Sequence, residues 1–125
     1  MTQKPIVLVV DDDFSALSLM GIMLEREGFQ AVRATDAHEA LASLVQGAPD
    51  LIILDVMMPG IDGIRLATIL RQRTDTATTP ILMLSAFADQ EIIQRGMDAG
   101  ANSFLVKPIL HPDLINLVKK LIKKS

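Results

Sequence analysis

Asp11, Asp12, Asp55, Ser85 and Lys107 are together the residue types that handle phosphate and a divalent cation. Three carboxylates brought to one place repel strongly, and at least one takes up a proton unless a cation intervenes. Oxygen ligands without His or Cys select Mg²⁺, with Mn²⁺ as the substitute, over zinc. Mg²⁺ keeps waters and shares phosphate oxygens, so a few carboxylates and a phosphoryl oxygen complete its shell. Lys107 adds a positive charge for a phosphoryl oxygen, and Ser85 adds a hydroxyl donor. Asp55 is then an ionised oxygen nucleophile whose attack on phosphorus gives an aspartyl phosphate. Such a transfer needs mostly positioning and charge neutralisation.

Each of these residues ends an apolar run. Asp11 and Asp12 follow Ile6 to Val10, Asp55 follows Leu51 to Leu54, Ser85 follows Ile81 to Leu84, and Lys107 follows Phe104 to Val106. Short, continuous, β-branched runs suit strands buried on both faces of a parallel sheet. In an open parallel sheet, ligands bind outside the carboxyl ends of the strands. Taken singly, the features are bland. An Asp pair after a strand usually caps a helix, Asp-x-x-x-Pro-Gly is a common turn, and Lys-Pro at a strand end is usually a solvated edge. Their joint occurrence at four strand ends is what points to one site.

Helical patterns separate the strands. Phe14 to Glu27 carries Leu17, Met20 and Leu24 at helical spacing, with Gly28 as a stop. Gln30 to Ala34 alternates and includes Arg33, as an edge strand does. Asp36 caps a helix with Glu39 in the reciprocal position, and Ala40, Leu41, Leu44 and Val45 form its apolar face. Asp62 caps a helix burying Leu66, Ile69 and Leu70; Arg71 to Thr79 reads as a polar loop. Ala88 to Ala99 reads as a helix with a weaker apolar face. Pro112 suits the first position of a last helix whose stripe is Leu114, Leu117, Val118, Leu121 and Ile122, with His111 placed to cap it. Its lysines, Lys119, Lys120, Lys123 and Lys124, read as a solvated helix end that suits the helix dipole. The methionines read as core filler. Five strand–helix units imply an α/β domain, a doubly wound parallel sheet with helices on both faces.

Composition narrows the function classes. A chain of 125 residues fits one domain, residues 1–125. The net charge is -3 with scattered cations, which argues against direct nucleic-acid binding. There is no cysteine, so disulfides and thiolate metal sites are excluded. No signal peptide is evident, and no apolar run approaches the ~18 residues of a membrane helix. A cytoplasmic protein without a membrane segment is the expectation.

The chain resembles the receiver domain of bacterial two-component response regulators, the family of the chemotaxis regulator. The likeness rests on Val9-Val10-Asp11-Asp12, Leu54-Asp55-Val56-Met57-Met58-Pro59-Gly60-Ile61-Asp62-Gly63, Leu84-Ser85-Ala86 and Phe104-Leu105-Val106-Lys107-Pro108. It implies a flavodoxin-like (βα)5 fold with strand order 2-1-3-4-5. It also implies that Asp55 is the phospho-acceptor and that Asp11, Asp12, Asp55 and the Met57 carbonyl hold Mg²⁺. Asp13 leaves Asp12 and Asp13 as an alternative acid pair, though Asp11 and Asp12 follow the strand directly. Lys107 would pair with the phosphoryl group, and Pro108 would follow a cis bond. Ser85 and Phe104 would take the two switch positions: the hydroxyl moves inward and the ring turns into the vacated space.

The implied partners are a histidine kinase or histidine phosphotransfer protein and a downstream effector protein or domain. The chain is expected to be a monomer or a phosphorylation-dependent dimer, and a signalling switch rather than a turnover enzyme. Met57 and Phe87 lie two residues beyond Asp55 and Ser85, where the family tunes dephosphorylation. Both are apolar and cannot orient an attacking water, so slow self-dephosphorylation is expected.

Other classes fit less well. An aspartyl-nucleophile hydrolase usually has a second acid two residues on, where this chain has Met57. A flavodoxin-like cofactor binder needs a hydroxyl- or Gly-rich phosphate loop after the first strand, where Asp11-Asp12-Asp13 would repel phosphate. A degenerate receiver used only for protein contacts should have lost Asp55, Lys107 or the acid pair.

Overall fold

The computed structural model describes residues 3–87 and 89–124. Five strands alternate with five helices: β1 (Ile6–Val10), α1 (Phe14–Arg26), β2 (Gln30–Ala34), α2 (Ala37–Ser43), β3 (Leu51–Asp55), α3 (Gly63–Gln72), β4 (Ile81–Ser85), α4 (Gln90–Asp98), β5 (Ser103–Val106) and α5 (His111–Lys124). All strand pairings are parallel and the order is β2-β1-β3-β4-β5. This is the flavodoxin-like doubly wound sheet with strand order 2-1-3-4-5.

Two apolar layers hold the sheet. Leu8, Val10, Ile52, Leu54 and Met83 face α2 and α3, where Ala40, Leu66, Ala67 and Leu70 complete a buried cluster. Val7, Val9, Ile53, Leu82 and Leu84 face α1 and α5, where Leu17, Met20, Leu24, Leu114 and Val118 pack. Alternate residues of each strand point to opposite faces, so the central strands are apolar on both. β5 departs from expectation. It pairs with β4 alone and is only half-buried, with Val106 41% exposed, because it is an edge strand.

Several local readings change. The Glu39 carboxylate reaches past the cap and accepts from the Thr35 N–H (2.6 Å) and hydroxyl (2.7 Å), while Asp36 accepts from the Glu39 N–H. α2 ends at Ser43 and passes into a 3₁₀ turn, Leu44–Gln46. The tighter turn changes the phase, so Leu44 stays buried and Val45 is exposed. α5 starts at His111, with Leu110 O accepting its first backbone bond from Leu114, so Pro112 is the second helical residue and His111 is not the cap. α4 starts at Gln90 with Asp89 as its cap; Ala88, where that helix was expected to begin, lies outside the described residues. Of the α5 lysines, Lys119 pairs with Glu27 at 3.2 Å. Met20, Met58 and Met83 are buried, but Met57 and Met97 are exposed.

The largest revision concerns Arg71, expected in a loop and found inside α3. Its guanidinium donates to Thr76 O (2.9 Å), Thr79 O (2.6 Å), Gly100 O (3.1 and 2.9 Å) and Asn102 Oδ1 (3.0 Å). The Thr76 hydroxyl donates to Leu70 O at 2.6 Å. One side chain thus closes the turn into β4 and the turn into β5. Arg71→Ala removes all of these bonds at once, though Thr76 O keeps the Thr79 N–H and Asn102 Oδ1 the Ile81 N–H, and should destabilise by about 2–3 kcal/mol in urea unfolding. Arg73→Ala, which breaks only an exposed pair with Asp75, should leave the midpoint in place. Equal midpoints for the two variants would contradict this role.

Candidate functional site

The strand register delivers the polar residues to one edge. Val56 N–H donates to Leu84 O (2.8 Å) and Lys107 N–H to Ser85 O (2.7 Å), which sews the ends of β3, β4 and β5 together. Asp55 ends β3, Ser85 ends β4 and Lys107 follows β5. The loop after β3 folds back tightly, with Gly63 N–H on Val56 O at 3.0 Å. A Cβ at Gly63 would overlap the Asp55 carbonyl, so this approach requires glycine.

Lys107 bridges two carboxylates. Its Nζ lies 3.0 Å from Asp11 Oδ2 and 3.4 Å from Asp55 Oδ2. Asp11 is fully buried and Asp55 nearly so, while Asp12 is exposed. One carboxylate oxygen from each of Asp11, Asp12 and Asp55 lies within 4.8 Å of the others. Asp13 is occupied elsewhere, as the α1 cap accepting from Ser15 and Ala16 N–H groups. That separates it from the acid pair. The remaining Asp11 oxygen accepts from Asp13 N–H at 2.9 Å.

Burial first, and then the Asp11 charge, push Asp55 up to about 6; Lys107 and the Met57 N–H pull it back only in part. Burial works against the Lys107 ammonium, but its bond to Asp11 and the Asp55 charge outweigh this and hold its pKa above the ordinary value. Three carboxylates face one ammonium, an excess negative charge that fits a divalent cation bound by oxygen.

The other predicted residues take distinct places. Met57 donates its N–H to Asp55 Oδ1 at 3.4 Å and its side chain is half exposed. Ser85 is buried, and its Oγ accepts from Phe87 N–H at 3.1 Å. The Lys107–Pro108 bond is cis. Phe104 stands apart from the carboxylates, opposite Met83 in the register and half-buried against the α2–α3 layer. The close packing of Gly96 beside Phe104 was not anticipated.

Residues 7–119 match the family model of the response regulator receiver domain. The chain belongs to that family. The phosphate regulon transcriptional regulatory protein PhoB of Rhizobium meliloti is 38% identical over 121 residues, 97% of this chain and 53% of that protein. The transcriptional regulatory protein PrrA of Mycobacterium tuberculosis is 38% identical over 97% of this chain and 51% of that protein. The receiver domain thus spans about half the length of the curated relatives it matches. Among solved structures, the chemotaxis protein CheY4 of Vibrio cholerae superposes with a TM-score of 0.90 at 33% identity, covering 94% of this chain and 98% of that one. A putative response regulator from Chloroflexus aurantiacus gives 0.91 at 38% identity, covering 96% and 98%. Receiver domains are phosphorylation-dependent signalling switches, and PhoB and PrrA are transcriptional regulators. No helix among the described residues is long and apolar enough to cross a membrane.

The raised Asp55 pKa has a stability consequence. A group titrating higher in the folded than in the unfolded chain contributes stability below its unfolded pKa and loses it as pH rises through the folded value, here about 6. Without metal, Asp55→Asn should therefore be more stable than wild type above that value by up to about 3 kcal/mol, and the gain should vanish near pH 4. Urea unfolding in chelator at both pH values checks this; a gain independent of pH would contradict it.

Proposed function

We propose that Asp55 accepts a phosphoryl group from the phosphohistidine of a histidine kinase or histidine phosphotransfer partner, in a Mg²⁺-dependent step. The observation that carries this reading is the Lys107 ammonium between Asp11 and Asp55, beside a third carboxylate. Asp11, Asp12, Asp55 and the Met57 carbonyl would hold the ion, whose chemistry is to neutralise phosphoryl oxygens. The P–N bond to imidazole breaks, a P–O bond to the Asp55 carboxylate forms, and the imidazole nitrogen takes up a proton. Asp55 needs no general base once it is ionised. Lys107 then pairs with the phosphoryl group.

The Ser85 oxygen already accepts from Phe87 N–H, so its own proton is available to a phosphoryl oxygen. Moving Ser85 inward draws the segment at Phe87 with it and opens space for the Phe104 ring. The face formed by α4, β5 and α5 then changes its preference for a downstream effector protein or domain. Residues 1–125 act in this reading as a single receiver domain in the cytoplasm, monomeric or dimerising on phosphorylation, without touching nucleic acid itself. The exposed side chains of Met57 and Phe87 offer no group to orient water, so the aspartyl phosphate is long-lived.

Intact mass after incubation with acetyl phosphate and Mg²⁺ tests the reading. One phosphoryl adduct is expected, absent from Asp55→Asn and from the metal-free sample, and decaying more slowly than in Met57→Asn. An adduct that persists in Asp55→Asn would overturn the assignment. Absence of any adduct, even with a phosphorylated kinase as donor, would favour a receiver kept for binding alone.

A further inference from the structure

Outside the carboxylate edge, three arginines are engaged: Arg33 with Glu25, Arg73 with Asp75, and Arg71 with its carbonyl acceptors. Arg26, Arg65 and Arg95 have no ion pair or side-chain hydrogen bond among the described residues. Arg65 and Arg95 line the same groove, of about 520 Å³, between α3 and α4. The two guanidinium groups stand on opposite walls of the groove, Arg65 on α3 and Arg95 on α4, and neither is ion-paired among the described residues. The carboxylate that lines the groove, Asp62, already accepts from the Arg65 backbone N–H at 2.8 Å as the α3 cap.

The groove has a second chemical character. Ile64 and Ile69 line it and are half-buried, and the Gln72 amide closes its far end without a partner among the described residues. Positions 64/65, 68/69 and 72 recur at helical spacing, so these residues form one stripe down α3. α3 has 10 residues, so the stripe is about 15 Å long. Across from it, α4 sits close to the sheet through Gly96, where a Cβ would come within 2.8 Å of Met83 Sδ. The opposite wall carrying Arg95 is therefore set by packing.

We propose that this groove docks an acidic, partly apolar segment of a partner protein laid along α3, its carboxylates on Arg65 and Arg95 and an apolar side chain on Ile64 and Ile69. Guanidinium forks match carboxylates well, and an apolar stripe flanked by charge is what a helix-in-groove contact uses. A long groove open along its length would leave much of a small ligand in water, whereas small-molecule sites enclose most of theirs. The proposal is independent of phosphorylation at Asp55.

Panning a random dodecapeptide phage library on the immobilised chain tests it, followed by affinity measurement with the selected peptides made synthetically. Selected peptides should be rich in Asp and Glu with a large apolar residue. Their affinity should fall roughly tenfold in Arg65→Gln and in Arg95→Gln, the loss of one hydrogen bond to a charged group. It should also weaken with salt. Both variants should keep the wild-type circular dichroism and the phosphoryl adduct on Asp55. No enrichment, selected peptides without acidic residues, or affinities unchanged in both variants would overturn the proposal. Displacement of the peptide by inorganic phosphate or AMP at micromolar concentration would also overturn it, in favour of a small-anion site.

Discussion

The structure turns on one ammonium among three carboxylates. Lys107 reaches across from the end of β5 to Asp11 at the end of β1 and Asp55 at the end of β3. Removing that charge would leave Asp11 and Asp55 buried and unpaired, which is far costlier than any exposed pair. The single cation does not balance the cluster, and burial together with the Asp11 charge holds the Asp55 pKa above the ordinary carboxylate range. An excess of negative charge fits a divalent cation bound by oxygen, and in the function proposed above that cation would also offset the charge of an incoming phosphoryl group.

Everything else in the fold serves to keep these side chains at one edge. The strand order puts β1 and β3 side by side at the centre of the sheet, with β4 and β5 beyond them. Apolar layers on both faces bury the central strands along their length, so their polar residues fall at the strand ends. Gly63 lets the loop after β3 return against Asp55, and Arg71 closes the turns at the far ends of β4 and β5. The carboxylate edge and the Arg71 edge are opposite ends of the same strands, so both ends of β4 and β5 are fastened.

Much of this was readable from residue order. Apolar runs ending in Asp, Ser or Lys mark buried parallel strands, and capping residues such as Asp62 mark helix starts. What escaped the reading depended on partners distant in sequence or on small changes of pitch. Val45 fits a helical stripe, but the 3₁₀ turn rotates it outward. Arg71 looks like a loop residue because its acceptors lie up to 31 residues away in sequence. β5 has the composition of an inner strand, and its edge position follows from the strand order that the family resemblance implies, not from its own residues. Asp11 and Asp12 are preferred to Asp13 because they follow the strand directly, but that Asp13 caps α1 through the Ser15 and Ala16 N–H groups was not read.

The central claim is that Asp55 becomes a competent nucleophile through charge neutralisation by Lys107 and a divalent cation. The most direct measurement is the titration of the Asp55 carboxyl carbon by ¹³C NMR, in chelator and in saturating Mg²⁺. The account predicts a midpoint near 6 without metal, falling to or below the ordinary carboxylate range with it. A midpoint unmoved by Mg²⁺ would contradict the account.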